Sequence, residues 1–148
     1  MLSKRLEQVA SMVTKGNIIA DIGTDHGYVP IYLVEKGICP KAYAMDINQG
    51  PIESAIKNIE NYGLSEKIQA IKSNGLEKLE PEKADTIIIA GMGGELIVNI
   101  LENGLAKLEN CSRPVKELVL SPHKRGDLVR KYLEEHKWHI TDEKMLID

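Results

Sequence analysis

A short acidic turn near the start of the chain has the residue types and spacing to bind a charged ligand. Asp21 closes an apolar run, and Gly23-Thr24-Asp25-His26-Gly27 follows before a second apolar stretch begins at Tyr28. The glycine at each end removes side chains that would block a ligand and permits unusual backbone angles. A glycine-containing turn between a strand and a helix is the context that indicates nucleotide binding.

The carboxylates of this turn discriminate between nucleotide ligands. A carboxylate at Asp25 would repel the diphosphate of NAD, and the turn lacks the GxGxxG spacing of dinucleotide-binding proteins. S-adenosyl-L-methionine (SAM) instead carries a sulfonium and an α-amino group, which nearby carboxylates would attract. The turn therefore predicts SAM as the cofactor, bound by Asp21, Gly23, Thr24, Asp25 and Gly27.

Two later segments could bind the nucleoside part of this cofactor. Asp46, followed by Ile47, ends an apolar run at about the distance, roughly 20 residues, at which an acid accepts hydrogen bonds from ribose hydroxyls. Asn74-Gly75 follows a third apolar run and could present an amide to adenine. The alternatives are a helix N-cap for Asp46 and a plain turn for Asn74-Gly75.

A segment with few side chains follows the fourth apolar run. Ala90 leads into Gly91-Met92-Gly93-Gly94, where a cofactor or substrate can approach the backbone, and we expect Ala90 and Gly91 to bind the cofactor. Ser121-Pro122-His123 ends a fifth run and could contact a planar base. An ordinary surface imidazole is the alternative for His123.

Strand and helix patterns alternate along the chain. The periodicity predicts helices over 2–14, 28–35, 51–62, 95–108 and 126–136, and strands over 17–22, 42–46, 68–71, 85–90 and 116–120. Such alternation requires crossovers between parallel strands, so we expect an α/β Rossmann-like fold with helices on both faces of a mostly parallel sheet. The 148 residues should form one domain, 1–148, with the amphipathic N-terminal helix packed on it.

The end of the chain and its composition give further expectations about the extent of the sheet, RNA contacts, metals and location. A sixth strand begins at Trp138 and stops where a closing hairpin would follow, so the sheet is expected to be truncated. The net charge of -3 restricts any RNA contact to local basic residues. The two cysteines form no metal or disulfide motif, and the chain has neither a signal peptide nor a membrane-spanning run, so we expect no metal and a cytoplasmic location.

Three segments resemble those of a known family, the bacterial tRNA (adenine-22-N1)-methyltransferases. They are Leu2-Ser3-Lys4-Arg5-Leu6, Ala20 to Pro30 and Ile89 to Gly94, and the resemblance covers nearly the whole chain. It implies a Rossmann-like class I methyltransferase fold, SAM as methyl donor and tRNA as partner. It also implies a helical C-terminal domain, which we expect these 148 residues to lack. Asn74 and Ser121-Pro122-His123 differ from the Asp common in class I enzymes and the Gln-Pro-Asn of the family.

The mechanism expected from this resemblance is in-line methyl transfer to N1 of an adenine, whose lone pair needs no prior deprotonation. We expect Asp25, His26, Tyr28 and Met92 to line the methyl-transfer pocket. Arg5, Lys124 and Arg125 are the candidate contacts to RNA. The alternatives are methylation of another RNA base or a small molecule, and a non-catalytic SAM-binding module; the sequence does not indicate an oligomeric state.

Overall fold

Five strands and six helices lie within residues 2–141, the part of the chain that the computed structural model describes. In chain order they are α1 (Lys4–Ser11), β1 (Ile19–Ile22), α2 (Tyr28–Glu35), β2 (Ala42–Asp46), α3 (Gln49–Asn61), β3 (Ile68–Lys72), β4 (Thr86–Met92), α4 (Gly94–Gly104), α5 (Ala106–Glu109), β5 (Glu117–Pro122) and α6 (Gly126–Glu135). The strands pair in the order β3-β2-β1-β4-β5, and all four pairings are parallel. The predicted α/β fold is confirmed.

The strand order sets the position of the functional edge. The chain runs from β1 outward through β2 to β3, and then returns to the other side of β1 to form β4 and β5. Where the order reverses, the loops at the carboxyl ends of the strands diverge and leave a crevice. This reversal lies between β1 and β4, directly above Ile22 and Ile89, which are paired in the sheet.

Helices cover both faces of the sheet, which explains the nearly continuous apolar sequences of its central strands. The first core packs α1, α2 and α3 against one face, and the second packs α4, α5 and α6 against the other. Alternate residues of a strand therefore enter different cores. Ile88 enters the first, while Ile87 and Ile89 enter the second.

The N-terminal helix is shorter than the predicted 2–14. Its N-cap is Ser3, whose side chain accepts a hydrogen bond from the Leu6 N–H at 3.3 Å. At the other end, the Val13 N–H donates to the Ala10 carbonyl three residues earlier, which closes the last turn. Leu2 and Val13 are nevertheless buried, so the apolar pattern extends beyond the helix itself.

The predicted helix over 95–108 is divided into α4 and α5. Gly104 ends α4 where it passes close to the side chain of Leu76, and a Cβ at Gly104 would overlap the Leu76 Cβ. Glycine also has a low helix propensity. The apolar spacing continues through Leu105 and Leu108, which are both buried, so the sequence pattern alone did not reveal the break.

Residues 138–141 do not form the start of the predicted sixth strand. Lys137 has a left-handed backbone with φ of 62°, and the Trp138 N–H donates to the Leu133 carbonyl at 2.8 Å, which closes α6 with a turn. Trp138 packs against the second core, whereas residues 139–141 are exposed. The remainder of the predicted strand, 142–148, lies outside the described residues. Within 2–141, no helix has the length and apolar character needed to cross a membrane.

A network of polar side chains joins the amino-terminal ends of the strands. The carboxylate of Asp85 is buried, accepts two hydrogen bonds from the Arg113 guanidinium at 3.1 and 2.9 Å, and accepts a third from the Ile18 N–H at 2.8 Å. Lys116 adds a second cation 3.9 Å away. This edge of the sheet therefore contains a buried acid whose hydrogen-bonding and charge requirements are met within the protein.

A neighbouring carboxylate, that of Glu117, connects the same edge to the end of α1. It accepts hydrogen bonds from the Thr14 N–H and hydroxyl, at 3.0 and 2.7 Å, and from the Thr86 hydroxyl at 2.8 Å. Burial, with a contribution from Glu117, raises the pKa of the Cys39 thiol to about 11. Cys39 is therefore a protonated core residue rather than a reactive thiolate.

Candidate functional site

A cavity of about 520 Å³ opens at the carboxyl edge of the sheet, in the crevice where the strand order reverses. The segments that follow β1, β2 and β3 form its walls, together with the end of β4 and parts of α1, α2 and α4. The described residues that line it are Arg5, Leu6, Asp21, Ile22, Gly23, Thr24, Asp25, His26, Tyr28, Val29, Asp46, Ile47, Asn48, Ser73, Asn74, Gly75, Ala90, Gly91, Met92, Leu96 and Ile100.

Most of the residues predicted from sequence therefore face one space, although they come from five separate segments. Gly27, Lys124 and Arg125 are the predicted site residues outside this lining. The structure adds several lining residues that the sequence did not indicate. They are apolar residues, one asparagine and one serine, types that are common at such positions in many proteins. They are Leu6, Ile22, Val29, Asn48, Ser73, Leu96 and Ile100.

Glycines fix the backbone of the turn after β1. Gly23 and Gly27 have φ of 76° and 77°, in the left-handed region that favours glycine. A Cβ at Gly23 would overlap the methyl group of Met92, whereas a Cβ at Gly27 would lie 3.2 Å from the Ala55 Cβ. Gly23 thus borders the cavity, while Gly27 allows the turn to pack closely on α3.

The turn is also hydrogen-bonded to the neighbouring strand. The N–H groups of Gly23 and Thr24 both donate to the Met45 carbonyl, at 2.8 and 2.9 Å. Asp25 has a left-handed backbone with φ of 59°, and its N–H donates to the Asp46 carboxylate at 3.2 Å. These bonds hold the turn in one conformation, with the Asp25 side chain exposed.

Asp46 does not serve as the N-cap of the following helix. The N-cap of α3 is Asn48, and the Asp46 carboxylate accepts hydrogen bonds from the N–H groups of Asn48 and Asp25, at 3.0 and 3.2 Å. One N–H binds each oxygen, which leaves further lone pairs for hydroxyl donors. Asp46 is therefore held rigidly at the cavity wall in a form that can accept ligand hydrogen bonds.

Asp21 is the more deeply buried of two buried acids that line the cavity, Asp21 and Asp46. Burial raises the pKa of Asp21 to about 7; the Thr24 side chain acts in the opposite direction, and the Asp46 carboxylate raises it further. The Thr24 hydroxyl oxygen itself makes no hydrogen bond of normal geometry within the described residues, although it is buried. Asp21 and Thr24 thus form a pair of buried polar groups with little support from the protein.

His26 is held by two side chains of α3. Its Nδ1 lies 2.7 Å from the Ser54 Oγ, and its carbonyl accepts a hydrogen bond from the Asn58 side chain at 2.9 Å. The opposite ring nitrogen lies 3.7 Å from the Asp25 carboxylate, and the Tyr28 ring centroid is 5.2 Å away. Ser54 and Asn58 are four residues apart on one helix face, a signal that the sequence contained but that gained meaning only from the packing of α3.

The turn after β4 is joined to the turn after β5. The His123 N–H donates to the Met92 carbonyl at 3.0 Å, and the Gly94 N–H donates to the Lys124 carbonyl at 2.8 Å. A Cβ at Gly94 would overlap the carbonyl oxygen of Arg125, so only glycine permits this approach. The segment 121–123, considered from sequence as a base contact, does not line the cavity.

The three predicted RNA contacts occupy different environments. Arg5 is partly buried and lines the cavity, whereas Lys124 and Arg125 lie outside it. Arg125 is 3.1 Å from Asp127 and 3.7 Å from Glu95, and its hydrogen bond and attraction to Asp127 raise its pKa. Lys124 is exposed and packs its aliphatic carbons on Gly93.

A second concave region, of about 540 Å³, lies between α3 and the outer edge of β3. It is lined mainly by exposed polar side chains and includes none of the residues predicted from sequence. Its charged groups, Lys41, Glu60, Glu66 and Lys67, have mixed signs and surround no buried acid. The cavity at the carboxyl edge is therefore the candidate functional site. In residues 2–141, no cluster of three or more His, Cys, Asp or Glu side chains is arranged to hold a metal.

Comparison with protein families gives a match over residues 2–148 to a family described as a methyltransferase domain. Among curated proteins, the chain is 40% identical to the tRNA (adenine(22)-N(1))-methyltransferase of Bacillus subtilis, over 98% of this chain and 59% of that protein. The chain spans between 59% and 65% of the length of the three tRNA methyltransferase relatives that it matches.

Two similar solved structures contain bound SAM or S-adenosyl-homocysteine. A Streptococcus pneumoniae protein in complex with SAM is 48% identical, with a TM-score of 0.94 over 100% of this chain and 68% of that chain. M. capricolum TrmK in complex with S-adenosyl-homocysteine is 37% identical, with a TM-score of 0.87 over 100% of this chain and 64% of that chain.

Proposed function

Because the chain belongs to the methyltransferase domain family, we propose that it is part of a SAM-dependent enzyme that methylates N1 of an adenine in tRNA. The observation that carries the proposal is the cavity in which Asp21, Asp46 and the turn after β1 meet. The substrate follows from the 40% identity to the Bacillus subtilis enzyme over nearly all of this chain. A tRNA substrate also supports a cytoplasmic location.

The residues of the cavity fit the parts of SAM. Asp21 is a buried acid without a nearby cation among the groups that set its pKa, which suits an ammonium or sulfonium ligand. Asp46 offers carboxylate oxygens to ribose hydroxyls. The buried Thr24 hydroxyl provides a further polar group that a ligand would satisfy.

The adenine ring fits the wall formed after β2 and β3. Ile47 provides an exposed apolar side chain there, and Asn74 provides an amide that can donate and accept hydrogen bonds. A Cβ at Gly75 would lie 3.3 Å from the Ile100 side chain, so the backbone at Gly75 packs closely against α4. We propose Ile47, Asn74 and Gly75 as adenine contacts and Gly23, Ala90 and Gly91 as backbone contacts.

SAM supplies an electrophilic methyl group, and this chain's residues orient the acceptor toward it. Adenine N1 attacks through its own lone pair, so a protein base is not required and alignment supplies much of the rate enhancement. We propose that Tyr28 and Met92 hold the plane of the target base. The exposed Asp25 carboxylate would stabilise the positive charge that develops on adenine, while His26 holds Asp25 and Tyr28 in position.

Access to N1 requires an unpaired or extruded adenine, since N1 takes part in Watson–Crick pairing. Tyr28 and Leu96 are exposed apolar side chains at the cavity rim, where an extruded base would first make contact. We propose that Lys124 contacts RNA phosphate beside this rim. Arg125, which is already paired with two acids, would contribute less.

The test of this function is transfer of radiolabelled methyl groups from SAM to tRNA, followed by mapping of the modified base. We expect label at N1 of an adenine and none in a transcript with guanine at that position. Asp46→Ala should abolish transfer, whereas Glu66→Ala, on the surface beside β3, should retain it. SAM binding without transfer to any RNA would favour the non-catalytic binding module, and absence of SAM binding would refute the proposal.

A further inference from the structure

Exposed apolar side chains are concentrated at the mouth of the cavity. Within residues 2–141, six large apolar or aromatic side chains are exposed, and three of them line this cavity, namely Tyr28, Ile47 and Leu96. A single exposed leucine is ordinary, whereas several such side chains around one opening indicate a surface that is covered in a complex. Ile47 follows β2, at the end proposed for the cofactor adenine, so Tyr28 and Leu96 are left to meet the RNA.

Tyr28 and Leu96 come from helices on opposite faces of the sheet. Tyr28 is the first residue of α2, which packs in the first core, and Leu96 is in the first turn of α4, which packs in the second. The Tyr28 ring has a partner within the protein, because the His26 ring centroid is 5.2 Å away. Leu96 is 51% exposed, although the next residue, Ile97, is fully buried. Leu96 is therefore an apolar side chain that projects from a core helix.

The backbone beneath Leu96 is held firmly. The Gly94 N–H donates to the Lys124 carbonyl at 2.8 Å, and a Cβ at Gly94 would overlap the Arg125 carbonyl oxygen. One turn after Leu96, Ile100 is buried in the second core. A side chain on a fixed helix loses little further freedom on binding, so it can occupy a gap between bases at a low entropic cost.

A cation lies beside this apolar side chain. Lys124 is exposed, and its aliphatic carbons pack on Gly93, three residues before Leu96. The adjacent acid, Glu95, is 3.7 Å from the Arg125 guanidinium, which reduces its repulsion of RNA. Proteins that separate stacked bases combine the same two elements, a cation at the phosphate backbone and an apolar side chain inserted between base steps.

We propose that Leu96 enters the base stack of the RNA and fills the gap that the target adenine leaves when it moves into the cavity, an inference that rests on the proposed function. An adenine that leaves its stack loses pairing and stacking energy, and the cost is smaller for a base that is already unpaired. Leu96 offsets part of this cost by packing against the bases on either side of the gap. Tyr28, from the opposite face, contacts the extruded base itself.

The test uses two transcripts that differ only opposite the target adenine. One has uracil there, and the other has an abasic position that leaves the adenine unpaired. With the 148-residue chain and saturating SAM, Leu96→Ala should lower kcat/KM for the paired transcript about 10-fold more than for the unpaired one. Leu96→Met should retain most of the wild-type ratio, because its side chain has a similar volume. Ile56→Ala, at an exposed isoleucine of α3, is the matched control and should change neither rate.

A second measurement follows extrusion without methyl transfer. The fluorescence of 2-aminopurine, placed at the target position of the paired transcript, rises when the base leaves its stack. Saturating wild-type chain with S-adenosyl-homocysteine should raise this fluorescence, and Leu96→Ala should reduce the rise.

Other outcomes would overturn the inference. Equal losses on both transcripts would mean that Leu96 acts inside the cavity and does not fill the gap. Unchanged rates with an unchanged fluorescence rise would mean that Leu96 takes no part in extrusion. In both cases the wild-type chain still methylates RNA, so the proposed function survives. A wild-type chain that transfers no methyl group to either transcript refutes the proposed function and, with it, the inference.

Discussion

Two buried aspartates at opposite edges of the same sheet have opposite surroundings. Asp85, at the amino-terminal edge, has a bidentate arginine, a lysine and a backbone N–H around its carboxylate. Asp21, at the carboxyl edge, is similarly buried, but its pKa is set by burial, the Thr24 side chain and a second carboxylate rather than by a cation.

This difference separates an acid that supports the fold from one that is kept for a ligand. Burying a charge is costly, and the protein compensates the cost at Asp85 with its own cations. At Asp21 the cost of burying the charge remains in the ligand-free protein, and this cost raises the pKa of Asp21. A cationic ligand would remove it, which is why a poorly compensated buried acid indicates a binding site.

The strongest test of the comparison is Asp85→Ala. Removing this carboxylate leaves the Arg113 and Ile18 donors unpaired, so we expect the free energy of unfolding to fall by about 3–5 kcal/mol in urea denaturation. Glu80→Ala, at an exposed acid, should change it by less than about 0.5 kcal/mol. A loss below about 1 kcal/mol at Asp85 would show that this acid does not support the fold.

The opposite result is expected for Asp21→Asn. The folded-state pKa of about 7 lies above the ordinary value of 3.8, so the stability linked to this group is present below pH 4 and is lost as pH rises through 7. Removing the charge should therefore stabilise the ligand-free protein at pH 8 by about 2–4 kcal/mol, with the gain disappearing near pH 4.

Urea denaturation at several pH values measures this gain, and calorimetry should show loss of SAM binding in the same variant. Asp25→Asn is the control, because Asp25 is exposed and should give no comparable gain. If Asp21→Asn destabilised the protein at pH 8, Asp21 would belong with Asp85 as a structural acid.

A smaller effect is expected at Ser54, whose side chain contacts His26 in the turn that follows Asp21. Ser54→Ala removes a hydrogen bond worth about 1 kcal/mol from His26, so methyl transfer should slow about 5- to 10-fold. The loss should be in kcat more than in KM for SAM. Ser65→Ala, at an exposed serine near β3, should leave both unchanged.

The smallest effect should come from the exposed charges beside the cavity. Lys124→Gln should weaken tRNA binding and reduce the slope of log affinity against log salt by about 0.9, as expected for one phosphate contact. Arg125→Gln should change the slope less, because Asp127 and Glu95 already pair with Arg125. Equal effects of the two variants would show that RNA phosphate displaces Asp127 and Glu95 from Arg125.

The features that were predictable from sequence are those encoded locally. Short apolar runs ending in Asp21 and Asp46 predicted both the strands and the carboxylates at their ends, and the glycines on either side of Thr24 to His26 predicted the turn. Parallel strands place their carboxyl ends at one edge, so the meeting of these segments followed from the topology. The structure brings them together around one cavity.

The features that were not predictable depend on contacts between distant segments. Thr14 and Glu117 are hydrogen-bonded although 103 residues separate them, and the Ser54 contact with His26 depends on how α3 packs. Gly27, which is predicted to bind the cofactor, lies close to Ala55 and outside the cavity lining, since sequence does not show which way a turn faces. The position of Arg5 in the cavity likewise depends on the docking of α1.

The close packing of Gly94 against Arg125 has a thermodynamic consequence. Because hydrogen bonds also join His123 to Met92 and Gly94 to Lys124, the turns after β4 and β5 form one unit. We predict that displacement of Lys124 by a polyanion is transmitted through these bonds to Met92 in the cavity wall. Linkage then requires that RNA and cofactor change each other's affinity by the same factor, which paired titrations with and without the second ligand would measure.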